Sequence, residues 1–168
     1  TIIPGANGLI NLSVPLQNGR DQRSLFKDIK IAYKENWVLQ HTRALDACYR
    51  RAPFYEYYRD SLFTILASQE EYLMDLDRRL IQWVLKTMKA KLEISYSSSY
   101  QMNMEEGVRD AGNIFLPNQK IASNDVVKYA QVFEDRNGFQ PNMSILDLLF
   151  CCGPSAAAGL LLSNNSRF

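Results

Sequence analysis

Three side chains in this sequence are candidates for acid–base chemistry: His41, Asp77 and Asp147. His41 is the only histidine of the chain, and it falls in the apolar stripe of a predicted helix, one turn after Trp37. Its ordinary pKa of about 6.5 suits a general acid or base, so we predict a catalytic role. The alternative is a core histidine that is satisfied by a hydrogen bond. Trp37 is predicted to contact substrate beside it.

Asp77 lies in the apolar stripe of a later helix, between Leu73 and Leu80. A buried carboxylate needs a cation or several hydrogen-bond donors. We therefore predict either an acid that orients His41 or a purely structural buried pair. Asp75 and Asp77 also form an Asp-x-Asp pair, but on a helix their side chains point about 200° apart and cannot chelate one metal ion. With a single histidine and no paired-cysteine motif, the sequence predicts no metal site.

Asp147 belongs to a segment, Gly138-Phe139-Gln140-Pro141-Asn142-Met143-Ser144-Ile145-Leu146-Asp147, that joins a turn to a helix start. Ser144 is a predicted N-cap. Asp147, three residues later, occupies the acidic position of a capping box and is expected to reach back to the Ser144 amide. Two alternatives stay open: Asp147 as the acid that orients His41, and the free amides of this helix start as an anion site.

The remaining predicted ligand contacts come from arginines and from polar or aromatic side chains. Arg20, Arg23 and Arg109 could hold a phosphate or diphosphate, and the alternative is solvated surface. Sugar binding calls for aromatic stacking and hydrogen bonds. Four further residues are therefore predicted to contact substrate: Tyr129, Gln131, Asn142 and Ser144. The chain contains no Walker-type phosphate loop, no glycine-rich Rossmann turn and no nucleophile elbow.

Length and charge narrow the class of protein. A chain of 168 residues fits one domain. Its net charge of +1 gives no electrostatic footprint for nucleic acid, although Arg50-Arg51 is a local basic pair. Three cysteines, two of them adjacent, do not form a disulfide framework, which favours a reducing cytoplasm. The apolar stretch 144–162 is interrupted by Asp147 and Gly153-Pro154, so we predict two short buried helices and no transmembrane segment.

Hydrophobic periodicity predicts the elements that must position these residues. Strands are predicted at residues 9–15, 28–33, 92–96 and 128–133, the second being a possible antiparallel partner of the first. Helices are predicted at residues 36–51, from residue 53 through 66, and at residues 69–89, followed by the C-terminal pair. This order predicts a single, helix-rich α+β domain with a small mixed sheet, with α/β as the alternative.

Several short segments, in this order, resemble the WbqC-like protein family of bacteria. They are Ala6-Asn7-Gly8, Leu12-Ser13-Val14-Pro15, Trp37 followed by His41, Ala52-Pro53-Phe54-Tyr55, and the segment around Asp147. The resemblance implies a single WbqC-like domain over residues 1–168. Because Thr1 is not methionine and Ile2-Ile3-Pro4 looks like mid-strand, we expect further residues before Thr1.

The family is associated with O-antigen and other surface-polysaccharide biosynthesis. The resemblance therefore implies a cytoplasmic role in assembling or decorating a glycan, and it supplies no catalytic residues. One hypothesis is a transferase that acts on a nucleotide sugar or glycan precursor. The other is a non-catalytic accessory protein of the same pathway. The cofactor is left unknown.

Overall fold

The computed structural model describes residues 1–19, 24–96, 107–108 and 128–164, with side chains through residue 159. Its elements follow in chain order: β1 (Ile2–Gly5), β2 (Gly8–Asn11), a 3-10 helix (Phe26–Asp28), α1 (Trp37–Tyr49), α2 (Tyr55–Leu66), α3 (Leu73–Thr87), α4 (Glu134–Asn137) and α5 (Ile145–Asn164). The predicted helix-rich α+β class is confirmed. The α/β alternative has no support, because the named strands of the described residues form a single antiparallel pair.

The hairpin at the start of the chain covers one side of the helices. β1 and β2 pair antiparallel, with Ile3 opposite Ile10, and the turn is closed by Gly8 at φ 122°. Glycine suits this position because it has no Cβ to clash at positive φ. The predicted strand at residues 9–15 is thus right in its first part. Ile3 is completely buried, so the hairpin anchors in the core through β1.

The predicted strand at residues 28–33 is wrong as a strand, because only two isolated bridges form there. Ile31 bridges Leu16, and Lys30 bridges Tyr72, both antiparallel. The Ile31 amide donates to the Glu71 carbonyl, 2.9 Å away. This short segment therefore joins the residues that follow the hairpin to the start of α3. The antiparallel contact expected with the first predicted strand is reduced to the bridge between Ile31 and Leu16.

Helices α1, α2 and α3 form where periodicity places them. The Asn36 side chain accepts from the Leu39 amide at 3.4 Å and caps α1, as an N-cap asparagine should. α1 contacts β1 and α2, and α2 contacts α3 and α5. The core between them consists mainly of large side chains, the largest fully buried ones being Trp37, Tyr49, Tyr55 and Phe150.

The C-terminal helix pair is confirmed. α5 breaks at Gly153, whose φ of 76° and ψ of 170° are not helical, and Pro154 begins the second part. A Cβ at Gly153 would lie 2.8 Å from the Phe54 ring, so the helix also needs glycine for close packing. No helix among the described residues has the length and apolar character that crossing a membrane requires.

The two later strand predictions are wrong. Residues 92–96 and 128–133 contain no strand, and residues 132–133 instead form the turn that leads into α4. Alternation of side chains assigns two faces to a segment but does not supply a hydrogen-bonded partner. Neither segment finds a pairing strand within the described part of the chain.

Candidate functional site

His41 and Asp77 line the same cavity, which has a volume of about 430 Å³. It lies where the segment after β2 crosses α1 and α3. Ser13 and Val14 come from that segment, His41 from α1, and Asp77 and Leu80 from α3. The rest of the wall is largely leucine. This is the usual composition of a small-molecule site: an apolar wall with a few polar groups.

His41 is held in one tautomer by its position. Its Nε2 lies 3.1 Å from the Ser13 carbonyl oxygen, which can only accept, so Nε2 carries the proton. No described residue makes a hydrogen bond to Nδ1, which keeps its lone pair. Burial lowers the pKa of His41, while the bond to Ser13 partly offsets this effect. The ring is therefore neutral at neutral pH, the form a general base requires.

Asp77 is half-buried in the cavity wall, and its side chain has no hydrogen bond or ion pair with any described residue. Burial raises its pKa, because nothing there compensates the carboxylate charge. The predicted structural ion pair is therefore not found within the described residues. Asp77 shares the cavity with His41 but does not hydrogen-bond to it. Burial thus shifts both pKa values toward the uncharged form, downward for His41 and upward for Asp77.

Trp37 lies in the core next to His41, only 1% exposed. Its ring meets the His41 ring nearly edge-on, with centroids 5.0 Å apart, and it also contacts the Tyr33 ring. The Trp37 side chain thus fixes the orientation of the imidazole. Its predicted substrate contact remains untested, and its burial gives that contact no support.

The capping-box prediction for Asp147 is wrong. The carboxylate is completely buried and accepts hydrogen bonds from the side chains of Tyr129 at 2.7 Å and Gln131 at 3.1 Å. The Cys151 thiol approaches it at 3.9 Å. The Ser144 amide, which the capping box assigned to Asp147, donates instead to the Ile2 carbonyl. Asp147 therefore joins α5 to the segment before α4, and it does not line the cavity of His41.

The electrostatics around Asp147 are dominated by burial. Burial raises the pKa of Asp147, and the hydrogen bonds from Tyr129 and its neighbours oppose that rise. The pKa values of Tyr129 and Cys151 are also raised, first by burial and then by the Asp147 charge, so both stay protonated donors. The Tyr49 hydroxyl is buried and makes no hydrogen bond of normal length and angle with a described residue, but it is close enough to Asp147 that burial and then the Asp147 charge raise its pKa.

Tyr129 and Gln131 are brought together as predicted, but by Asp147 and not by a strand face. Gln131 also forms two bonds with the Gln140 backbone, one as donor and one as acceptor, each 2.8 Å long. Gln131 is buried, and Tyr129 is partly buried. Their polar atoms are used inside the protein, so they are structural in this arrangement, and their predicted contact with substrate remains untested.

The other predicted contact residues are scattered. Ser144 is an N-cap as expected, since its Oγ accepts from the Leu146 amide at 3.3 Å. Asn142 is exposed in a turn at φ 59°. Both lie outside the cavity of His41. Arg20, Arg23 and Arg109, predicted to hold phosphate, lie outside the described residues.

A larger cleft of about 810 Å³ lies on another side of α1, and sequence reasoning did not find it. Its wall carries four arginines: Arg50, Arg51, Arg59 and Arg136. Only the Arg50-Arg51 pair is visible as a local sequence signal, because Arg136 comes from α4, far along the chain. Within the described residues, no group of three metal-ligating side chains occurs. All three cysteines are free.

Among comparisons with known proteins, only the comparison with protein-family profiles finds a match. No curated protein and no solved structure matches the chain. The profile of the WbqC-like protein family matches residues 1–112 and 110–158. These ranges include α1, the His41 cavity and the Asp147 network. The chain therefore belongs to the WbqC-like protein family.

Proposed function

We propose that the protein is a cytoplasmic transferase of bacterial surface-polysaccharide biosynthesis that acts on an activated sugar, either a nucleotide sugar or a glycan precursor, and transfers that sugar to an acceptor hydroxyl. Family membership suggests the link to polysaccharide biosynthesis. The observation that carries the enzymatic part is the cavity shared by His41 and Asp77, whose pKa values shift in opposite directions. Three free cysteines fit a reducing compartment.

His41 acts as the base in this proposal. Its Nε2–H stays bonded to the Ser13 carbonyl, and Nδ1 removes the proton from an acceptor hydroxyl as that oxygen attacks the sugar donor. The new bond forms at the acceptor oxygen, and the bond from the sugar to its phosphate leaving group breaks. Asp77, whose pKa is raised by burial, is the acid in this proposal and in its protonated form donates a hydrogen bond to the substrate. The leucine-rich wall excludes water and strengthens both interactions.

The test is release of nucleoside diphosphate from a panel of nucleotide sugars, with simple sugars as acceptors. His41→Gln is the informative variant because the glutamine amide can still donate to Ser13, whereas it cannot accept a proton as a base. Asp77→Asn keeps shape and removes the acid. Asp75→Asn, on the same helix but outside the cavity, is the matched control. We expect loss of release of about 100-fold or more in His41→Gln and no change in Asp75→Asn.

The second candidate function is a non-catalytic accessory protein of the same pathway. It is favoured by an exposed apolar row after α3, where Leu92 is 68% exposed and Ile94 and Tyr96 are also exposed. Apolar side chains at alternate positions of an exposed segment suit contact with a partner protein. Absence of release from every nucleotide sugar, with wild type and His41→Gln equally stable, would favour this candidate over the transferase.

A further inference from the structure

The cleft on the other side of α1, defined by Arg50, Arg51, Arg59 and Arg136, shares no lining residue with the His41 cavity. Its 810 Å³ falls within the range of about 300–1,000 Å³ typical of small-molecule sites. Arg50 and Arg51 directly follow the end of α1, Arg59 comes from α2 and Arg136 from α4. Three helices thus direct cations toward one concave surface.

One of these arginines is already neutralised. Arg59 binds Asp46 through two parallel bonds, from Nε at 2.6 Å and Nη2 at 2.9 Å, and Tyr55 donates to the same carboxylate at 2.8 Å. Because of the Arg59 bond, the pKa of Asp46 is lowered, so Asp46 stays charged. This ion pair is structural: it joins α1 to α2 in the wall of the cleft.

The other three arginines are available. The side chains of Arg50 and Arg51 are exposed and form no hydrogen bond or ion pair with any described residue, although the Arg50 charge also helps to lower the pKa of Asp46. The Arg136 side chain makes only a long bond of 3.5 Å to the Ala6 carbonyl among the described residues. Guanidinium groups recognise phosphate oxygens through paired N–H bonds. Free arginines that line one cleft therefore predict a phosphate-bearing ligand.

The rest of the wall restricts what that ligand can be. Glu56 and Asp135 also line the cleft, are exposed and have no partner among the described residues. Two carboxylates disfavour a polyanion such as nucleic acid, but they accept hydrogen bonds from hydroxyl groups. Val132 and Phe133 add an apolar surface against which a ring can pack. We infer that the cleft binds a phosphorylated sugar-like ligand: phosphate on Arg50, Arg51 and Arg136, hydroxyls on the two acids.

This inference does not rest on the proposed transferase, because it concerns different residues on a different side of α1. The Cys48 thiol also reaches the cleft, but burial raises its pKa, so it is not a thiolate nucleophile. The site is accordingly a binding site, with no covalent step.

Isothermal titration calorimetry with three probes tests the inference: glucose 1-phosphate, inorganic phosphate and glucose. We expect glucose 1-phosphate to bind more tightly than either of the others. The Arg50→Gln/Arg51→Gln double variant should weaken it about tenfold or more, since charge-assisted bonds are lost. Arg43→Gln, an exposed arginine of α1 outside the cleft, is the matched control and should bind like wild type.

Three results would overturn the inference. They are no binding of glucose 1-phosphate, equal weakening by Arg43→Gln, or tighter binding of a single-stranded oligonucleotide than of glucose 1-phosphate. His41→Gln separates this inference from the transferase proposal. If the His41→Gln variant binds glucose 1-phosphate normally yet releases no nucleoside diphosphate from nucleotide sugars, the cleft inference and the transferase proposal both stand. If wild type binds at the cleft and releases no nucleotide from any donor, the cleft stands and the transferase fails.

Discussion

Replacing Asp147 with alanine should destabilise the protein strongly, because its carboxylate is the shared acceptor of a buried network. Tyr129 and Gln131 both donate to it, and its side chain is completely buried. Alanine removes the acceptor and leaves the tyrosine hydroxyl and one glutamine hydrogen without a partner. Gln131 keeps its other bonds, to the Gln140 backbone.

The expected loss in the free energy of unfolding follows from the number of hydrogen-bond donors that are left without a partner. Each buried donor that loses its partner costs about 1–3 kcal/mol, so two of them cost about 2–6 kcal/mol. The Cys151 thiol adds little, since it lies 3.9 Å away and is a weak donor. Asp147→Asn keeps one acceptor oxygen and nearly the same shape, so its free energy of unfolding should stay within about 1.5 kcal/mol of wild type.

The pH dependence of these variants has a definite sign. The pKa of Asp147 is raised in the folded protein above its ordinary value of 3.8, mainly by burial. Its contribution to stability is therefore complete below pH 3.8 and is lost as pH rises through the folded pKa. Asparagine has no such loss. The stability of Asp147→Asn relative to wild type should consequently increase from acidic to neutral pH.

Urea unfolding of wild type, Asp147→Ala and Asp147→Asn at several pH values measures all of these differences. Tyr129→Phe is a useful companion, because it removes one donor and leaves the acceptor in place. If alanine costs less than about 1 kcal/mol, or no more than asparagine, the network does not stabilise this junction of α5 and the reasoning fails.

Three further predictions concern other parts of the fold. Gly153→Ala should lower the free energy of unfolding by about 1–3 kcal/mol, because the φ of Gly153 is positive and the new Cβ would meet the Phe54 ring. Thermal unfolding measures this loss, and an unchanged melting temperature would mean that α5 can straighten at this residue. Ser144→Ala should cost about 1 kcal/mol through the lost N-cap, measured by urea unfolding, and an unchanged midpoint would contradict the cap. The pKa of Asp46 is lowered first by its bond from Arg59, so its contribution to stability is present above the unfolded pKa and lost as pH falls through the folded one. Wild type should therefore lose its advantage over Asp46→Asn on acidification, and a constant difference in denaturation midpoints between pH 7 and pH 3 would refute this.

The helices could be predicted from sequence because their signals are local. The apolar stripe of α1, its Asn36 cap and the Gly153-Pro154 break each lie within a few residues of the structure they specify. The strands could not be predicted as well, because a strand also needs a partner. Residues 92–96 alternate like a strand, yet no described segment pairs with them.

The candidate site was predictable only in part, for a related reason. His41 and Asp77 stand out as polar groups in apolar stripes, and the structure places them in one cavity. Asp147 was misassigned because Ser-x-x-Asp is the same pattern whether the acid faces the helix start or the core. Arg136 was missed because its position beside Arg50 depends on how α4 packs, which no local pattern encodes.

The most direct test of the central claim is an NMR titration of the single histidine. Long-range proton–nitrogen spectra report the tautomer and the pKa of His41 without overlap from any other imidazole. The account predicts a proton on Nε2, a pKa below 6.5 and a change in the Nδ1 shift when a nucleotide sugar occupies the cavity. A proton on Nδ1 would point the Nε2 lone pair at the Ser13 carbonyl, and a pKa at or above 6.5 would mean that burial does not favour the neutral ring; either result would contradict the account.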